Sequence, residues 1–127
     1  MTIYLGDTNN TYNVPLAWND VVDAQGGEDT LVLNWSSAAG PIRFIEHGGY
    51  TDAHGELTDD YDYWIQYWNF EKFNLTGGAE ADVLHGAGLA DTINGGGGND
   101  EIHSALGTDI LDGGAGTDTW VVDYSSL

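Results

Sequence analysis

Five aspartates recur every nine residues in the C-terminal third of the chain: Asp82, Asp91, Asp100, Asp109 and Asp118. Glycine-rich stretches separate them. An aspartate carboxylate offers hard anionic oxygens, and Ca²⁺ takes roughly 6–8 oxygen ligands from carboxylates and backbone carbonyls. Glycine allows positive φ, which leaves backbone carbonyls free to face an ion. The residue types and their spacing therefore predict calcium binding.

The aspartates belong to five consecutive nine-residue units that fill residues 77–121. In register the units read GGAEADVLH, GAGLADTIN, GGGGNDEIH, SALGTDILD and GGAGTDTWV. Place eight is always apolar and holds Leu84, Ile93, Ile102, Leu111 and Trp120. Places seven and nine are mostly polar, as expected of a short strand with one buried face. A disordered Gly/Asp-rich linker is the alternative, but a linker has no reason to keep a phased apolar residue.

The units follow the pattern GGxGxDxUx, in which U is a large apolar residue, and residues 77–121 resemble the RTX, or haemolysin-type calcium-binding, repeat family. The resemblance implies an all-β fold, a parallel β-roll in which two units make one turn of the chain. In that family the first six residues of a unit form a calcium-binding turn. The last three form a strand whose U side chain points inward.

The units are unequal when scored for glycine at places one, two and four, aspartate at six and an apolar residue at eight. The first, third and fifth units score four, five and five, whereas the second and fourth score three each. With two units per turn, the odd units stack in one column, here called the odd column. Two well-formed calcium sites are predicted there, one between Asp82 and Asp100 and one between Asp100 and Asp118. The residues predicted to form them are Gly78, Glu80, Asp82, Gly95, Gly96, Gly97, Gly98, Asp100, Gly113, Ala115 and Asp118.

The second and fourth units stack in the even column, where a weaker third calcium site is predicted. Four of its glycine places are substituted, by Ala87, Leu89, Ser104 and Ala105. Backbone carbonyls survive substitution, but the required backbone angles are harder to reach without glycine. The residues predicted to form this site are Ala87, Leu89, Asp91, Ser104, Leu106 and Asp109.

The chain is strongly acidic, with 21 acidic residues against two basic ones and a net charge of −19 over 127 residues. Such self-repulsion opposes compaction, and one core residue per unit offers little apolar burial against chain entropy. Residues 77–121 are therefore predicted to be largely unfolded without calcium. Two basic residues cannot build a basic patch, which argues against nucleic acid and anionic membranes as partners.

The length indicates one module, residues 1–127, made of an N-terminal β region (1–76) that caps the roll, the five units (77–121) and a final strand end (122–127). Strands are predicted in 41–47, 61–68 and 70–75, with a connecting loop at 48–56 and at most one short helical turn in 15–24. The segment DTLVLNWSS (29–37) is similar to DTWVVDYSS (118–126). This similarity indicates one module of a longer tandem array, although convergence on a common strand ending is the alternative.

Three smaller features allow sharper hypotheses. Asp59, Asp60 and Asp62 are interpreted as a solvated hairpin tip rather than a further calcium site. His85 and His103 both occupy place nine of odd units, so they are expected to be neighbours ~5 Å apart on the outer face rather than metal ligands. Several aromatic residues near the middle of the chain are expected to close the core or, alternatively, to stack on sugar rings; they are Tyr61, Tyr63, Trp64, Tyr67 and Trp68.

Catalysis finds no support in the sequence, which lacks an HExxH zinc motif and any nucleophile-elbow spacing. No cysteine is present, and no apolar run approaches the roughly 18 residues of a membrane span. The RTX resemblance implies secretion through the type I route of Gram-negative bacteria, in which the signal is C-terminal. The predicted function is a calcium-folded structural module of a large secreted or cell-surface protein, with neighbouring modules as partners. The alternative is a module that binds neutral carbohydrate.

Overall fold

The computed structural model of the chain describes residues 1–14, 19–38, 40–46, 54–59, 64–86, 88–104 and 106–122. Within these ranges every regular element is a β-strand. The strands are β1 (Thr2–Tyr4), β2 (Thr11–Val14), β3 (Asn19–Asp23), β4 (Thr30–Asn34), β5 (Ile42–Glu46), β6 (His54–Asp59), β7 (Trp64–Trp68), β8 (Lys72–Thr76), β9 (Val83–His85), β10 (Thr92–Asn94), β11 (Glu101–Ser104), β12 (Ile110–Asp112) and β13 (Thr119–Val122).

The strands form two sheets, and the chain alternates between them. One sheet has the order β1-β3-β7-β6-β5-β9-β11-β13 and the other the order β12-β10-β8-β4-β2. Neighbouring strands are parallel except where β6 pairs with β5 and β7. This alternation of parallel strands is a parallel β-roll, which confirms the predicted fold class. The described residues contain no helix long and apolar enough to cross a membrane.

The repeat block has the predicted periodicity of two units per turn. Ile102 pairs in register with Leu84 on one side and with Trp120 on the other. In the second sheet, Ile93 pairs in register with Leu75. Each residue thus pairs with the residue two units away along the chain, so the apolar place-eight side chains line up along the roll. Place eight of the first three units is buried, because alternate strand residues face the core.

Residues 1–76 are built largely as further turns of the same roll. Thr2 pairs in parallel with Val21 and Thr11 with Thr30, so the first turn of the chain is one residue longer than a turn of the repeat block. Residues 19–23 form strand β3, so the described part of 15–24 does not contain the short helical turn that the sequence allowed. The loop predicted at 48–56 ends earlier than expected, because β6 begins at His54.

Strands β5, β6 and β7 form an antiparallel meander inserted into one turn of the roll. At one side of the meander β7 continues the parallel pairing with β3, and at the other β5 pairs in parallel with β9. In the opposite sheet β4 pairs directly with β8. The insertion therefore adds strands to one sheet and leaves the other continuous.

The core is concentrated upstream of the repeats. Phe44 stacks on Tyr67 with ring centroids 4.9 Å apart, and Phe73 meets both rings edge-on. Of the sixteen buried hydrophobic residues in the described chain, only three lie in residues 77–121. Trp120 occupies an inward place but is 56 % exposed, because β13 is the edge strand of the described sheet.

Candidate calcium site

The turns of the odd column stack directly on one another at one edge of the roll. Gly97 N–H donates to Gly78 O at 2.9 Å, and Ala115 N–H donates to Gly96 O at 2.8 Å. Each of these bonds joins the third place of one odd unit to the second place of the odd unit before it. The backbone of each turn, with its carbonyl oxygens, is therefore held against the next turn.

Two glycines in the middle turn leave no room for a side chain. A Cβ on Gly95 would overlap Asp100 Oδ2 and would lie 2.6 Å from Gly113 O. Gly98 has φ of +102°, and a Cβ there would lie 2.6 Å from Glu80 O. Carboxylate and carbonyl oxygens from neighbouring turns therefore approach each other around these glycines, which is why the repeat needs glycine at places one and four.

The aspartates of the odd column form a ladder. Asp100 Oδ1 accepts a hydrogen bond from Asp82 N–H at 2.9 Å, and Asp118 Oδ1 accepts one from Asp100 N–H at 3.0 Å. Asp82 in turn accepts from Ile42 N–H at 2.8 Å through Oδ1 and from Gly78 N–H at 2.7 Å through Oδ2. The main chain therefore fixes one oxygen of each carboxylate against the turn before it.

Burial disfavours the charged form of these carboxylates unless a cation lies close by. Asp82 and Asp100 are 1 % and 2 % exposed, and Asp100 Oδ2 is buried without a hydrogen-bond partner among the described residues. Burial raises the pKa of Asp82 to about 6, although backbone hydrogen bonds lower it, and the charges of Asp100 and Glu80 add to the increase. The pKa of Asp100 is also raised, mainly by burial and further by Asp118. A cation between the turns would offset both the cost of burying these carboxylates and the repulsion between them.

Calcium binding in the odd column is expected to weaken as the pH falls below about 6. A Ca²⁺ ion at the predicted site would need the Asp82 carboxylate, and the pKa of that group in the ion-free fold is about 6. A proton therefore competes with the ion, and the affinity should fall by up to roughly tenfold per pH unit below that value. The stability of the ion-free fold depends on pH in the opposite direction. Because the pKa of Asp82 is raised in this fold, the fold binds the proton more tightly than the unfolded chain does, and its stability falls as the pH rises from about 4 to about 6.

Isothermal titration with CaCl₂ at about pH 7.5, 6 and 5 measures this competition. Asp82→Asn removes one of the two ladder groups with a raised pKa and should reduce the pH dependence while lowering the affinity at neutral pH. An affinity for the wild-type protein that is the same at all three pH values would contradict the expected proton competition.

The even column has a similar ladder with one difference. Phe73 N–H donates to Asp91 Oδ1 at 2.7 Å, and Asp91 N–H donates to Asp109 Oδ1 at 3.0 Å. Ser104, which replaces the glycine of place one, donates from Oγ to Asp109 Oδ2. The corresponding oxygen of Asp100 has no such partner among the described residues. The serine hydroxyl would therefore compete with any ion for Asp109, and the weaker site in this column stays a prediction.

The remaining residues predicted for the even column lie in its turns. A Cβ on Gly107, which has φ of +128°, would overlap Leu89 O, so this carbonyl faces the next turn. Leu106 precedes that glycine in the second turn of the column. Ala87 lies outside the described residues.

Within the described ranges, no group of three or more His, Cys, Asp or Glu side chains could by itself hold a metal ion. An ion between the turns would therefore take backbone carbonyl oxygens together with the ladder carboxylates. A donor set made only of oxygen suits Ca²⁺, which accepts such mixed ligands in flexible geometry. The residues present fit calcium.

The five aromatic residues considered for sugar binding do not form one exposed surface. Tyr67 is fully buried and stacks on Phe44, so it cannot present a face to a sugar. Trp68, the next residue of β7, is 41 % exposed. Trp64 lies on the same strand, but its side chain lies outside the described part of the structure, as do Tyr61 and Tyr63.

Two smaller predictions have different outcomes. His85 and His103 pair in register, and their rings stack with centroids 4.1 Å apart, as predicted from their shared place nine. The His103 ring also contacts Glu101, and this hydrogen bond lowers the pKa of that carboxyl group. The side chains of Asp59, Asp60 and Asp62 lie outside the described residues.

The contact between Asp82 and the backbone of Ile42 was not predicted from the sequence. The two residues are 40 apart, because the inserted meander lengthens that turn of the roll. Every other rung of the odd-column ladder spans 18 residues. No spacing in the sequence marks Ile42 as the partner.

A parallel roll with stacked Gly/Asp turns along its edge is the architecture of a calcium-binding β-roll. Residues 85–119 match the family of the RTX calcium-binding nonapeptide repeat (4 copies). This segment therefore consists of RTX repeats. The family of these repeats is a structural calcium-binding module and not an enzyme family. All but the last residue of the first unit precedes the matched segment, but the pairing of β9 with β11 places this unit in the same roll. Comparisons with curated proteins and with solved structures found no match.

Proposed function

We propose that the chain is a calcium-binding structural module of a larger secreted or cell-surface protein, whose residues 77–121 fold when they bind Ca²⁺ outside the cell. The main support is Asp100, a buried carboxylate between stacked turns, one oxygen of which has no partner among the described residues. Two ions are proposed in the odd column, both in contact with Asp100. A third, weaker ion is proposed in the even column between Asp91 and Asp109.

The charge of the chain supports folding that depends on calcium, and an extracellular location would supply that calcium. A net charge of −19 opposes compaction, so bound cations favour the folded state over the unfolded one. Extracellular calcium modules bind with dissociation constants of roughly 10⁻⁴–10⁻³ M, a range that keeps them empty inside the cell. A repeat block that stays unfolded until it meets calcium outside would suit the type I secretion route of Gram-negative bacteria.

Neighbouring modules of the same polypeptide are the proposed partners. Segments 29–37 and 118–126 have similar sequences, and Trp120 at the edge of the described roll leaves apolar surface exposed. A further turn of roll packed against β13 would cover it. The module would then serve as a spacer or stabiliser in a tandem array.

A circular dichroism titration tests the proposed folding. The protein in excess chelator should lack a substantial part of its β signal and regain it cooperatively as CaCl₂ is added. Full β structure in excess chelator would contradict the proposal.

Binding of neutral carbohydrate is the second candidate, and Trp68 is the exposed aromatic residue that supports it. With Tyr67 in the core, the aromatic surface is smaller than the sequence suggested. We therefore expect a glycan array probed in calcium buffer to show no binding. Binding that Trp68→Ala abolishes, with the calcium-induced fold intact, would instead favour the carbohydrate function.

A further inference from the structure

Two turns in the N-terminal half, residues 5–10 and 24–29, stack in the same way as the calcium-type turns although they lie outside the matched repeats. They precede strands β2 and β4 of the roll. Asn10 N–H donates to Asp29 Oδ1 at 2.7 Å, and Thr30 N–H donates to Asn10 O at 2.8 Å. We call this pair the upstream turns.

These two hydrogen bonds of the upstream turns match two of the odd column atom for atom. There, Asp82 N–H donates to Asp100 Oδ1 at 2.9 Å, and Glu101 N–H donates to Asp82 O at 2.8 Å. Asn10 therefore occupies the position of Asp82 in the ladder, and Asp29 occupies the position of Asp100.

The backbone of the second upstream turn also follows the repeat. Gln25 and Gly27, four and two residues before the aspartate, have φ of 69° and 125°. Gly96 and Gly98 stand at the same two places before Asp100 and have φ of 95° and 102°. A glutamine rarely adopts positive φ, so the stacked turn must hold it there against its own preference.

Asp29 has the same unsatisfied oxygen as Asp100. It is 0 % exposed, and its Oδ2 has no hydrogen-bond partner in the described part of the chain. A second carboxylate lies beside it, because Asp29 N–H donates to Glu71 Oε2 at 2.8 Å. The nearby cation Lys72 is paired with Glu28 at the surface instead. A buried carboxylate with such an oxygen and no paired cation is costly unless something positive binds it.

Two backbone carbonyls of the first upstream turn converge on the side chain of Asn10, the residue whose N–H is bonded to Asp29. Gly6 O and Thr8 O accept hydrogen bonds from the same atom, Asn10 Nδ2, at 3.3 and 2.5 Å. The oxygen and nitrogen of a side-chain amide exchange places when the amide rotates by half a turn. After such a rotation, Asn10 Oδ1 would join the two carbonyl oxygens, and an all-oxygen pocket would face the turn that carries Asp29.

We propose that the upstream turns hold a further Ca²⁺, with Asp29 as the anionic ligand and with Asn10, Gly6 and Thr8 as neutral oxygen ligands. The inference rests on the proposed calcium binding of the odd column and extends it to a half of the chain that the repeat family does not match. One anionic ligand in place of two makes this a weaker site than those at Asp100, because ligand charge tunes calcium affinity.

Isothermal titration of the full chain with CaCl₂ tests the inference through two matched variants. Asp29→Asn keeps the acceptor for Asn10 N–H and removes the charge, and it should bind one ion fewer than the wild type. Glu28→Gln removes the same charge from the adjacent exposed residue and should bind as many ions as the wild type. An Asp29→Asn protein that binds the same number of ions with unchanged affinity would overturn the inference.

Two further variants separate the outcomes. Asn10→Asp adds an anionic oxygen to the proposed site and should tighten its calcium binding at least tenfold. If Asp29→Asn fails to fold, unchanged calcium binding by Asn10→Asp overturns the inference. If Asp100→Asn binds fewer ions than the wild type and Asp29→Asn does not, the upstream site is contradicted and the proposed function stands. If only Asp29→Asn binds fewer ions, the proposed calcium binding of the odd column is contradicted.

Discussion

Replacement of Asp100 by asparagine is expected to make the repeat block harder to fold in calcium and easier to fold in chelator. Asparagine keeps an oxygen that accepts the hydrogen bond from Asp82 N–H but lacks the charge. In calcium, a ligand shared by two sites is lost, and the affinity should fall by at least the roughly 10–100-fold that loss of a supporting group causes. In chelator, the variant relieves the burial and the repulsion from Asp118 that raise the pKa of Asp100.

Thermal unfolding and circular dichroism, each in calcium and in excess chelator, measure this reversal of sign. Glu101→Gln is the matched control, because it removes the same charge from the adjacent residue, which is exposed. Its surface ion pair contributes little to stability, so the unfolding temperature should change only slightly both in calcium and in chelator. The interpretation of Asp100 as a calcium ligand fails if Asp100→Asn behaves like Glu101→Gln, or if it destabilises the protein equally in both conditions.

In excess chelator, the amides of residues 77–121 are expected to exchange with solvent rapidly, while those of the upstream core stay protected. The reason is the uneven distribution of the core. Leu84, Ile93 and Ile102 are the three buried hydrophobic residues of the described repeat block, whereas thirteen buried hydrophobic residues lie upstream in the described chain. One buried residue per unit offsets too little chain entropy, and the ladder carboxylates repel one another.

Hydrogen exchange followed by mass spectrometry resolves the two halves of the chain. Addition of CaCl₂ should protect the peptides that contain β9 to β13. Addition of the same concentration of MgCl₂ should protect them far less, because Mg²⁺ demands near-ideal octahedral geometry and loses its water reluctantly. Equal protection of both halves in chelator, or equal protection by the two salts, would contradict calcium-specific folding.

The sequence predicted the repeat block well because a single rule, one phased apolar residue in nine, fixes its strands. Ile102 faces Leu84 and Trp120 at the predicted spacing of two units. The odd and even columns follow directly from that register, and so does the stacking of His85 on His103. These features depend on local spacing, which the sequence displays.

The upstream half was less predictable because its spacing is irregular. The first turn there is one residue longer than two nine-residue units, and the meander of β5, β6 and β7 lengthens the next turn and interrupts the phase. Strand β3 carries no alternation that distinguishes it from a helical turn, and the contact of Asp82 with Ile42 crosses the insertion. The burial of Tyr67 depends on its stacking with Phe44, a tertiary contact that composition does not reveal.

Anomalous diffraction from crystals grown in calcium tests most directly whether the odd column holds ions between its turns. We expect one anomalous peak between Asp82 and Asp100 and a second between Asp100 and Asp118, with oxygens of the Asp100 carboxylate in contact with both. A column without peaks at saturating calcium, or an Asp100 side chain that contacts only water, would contradict the proposed calcium sites.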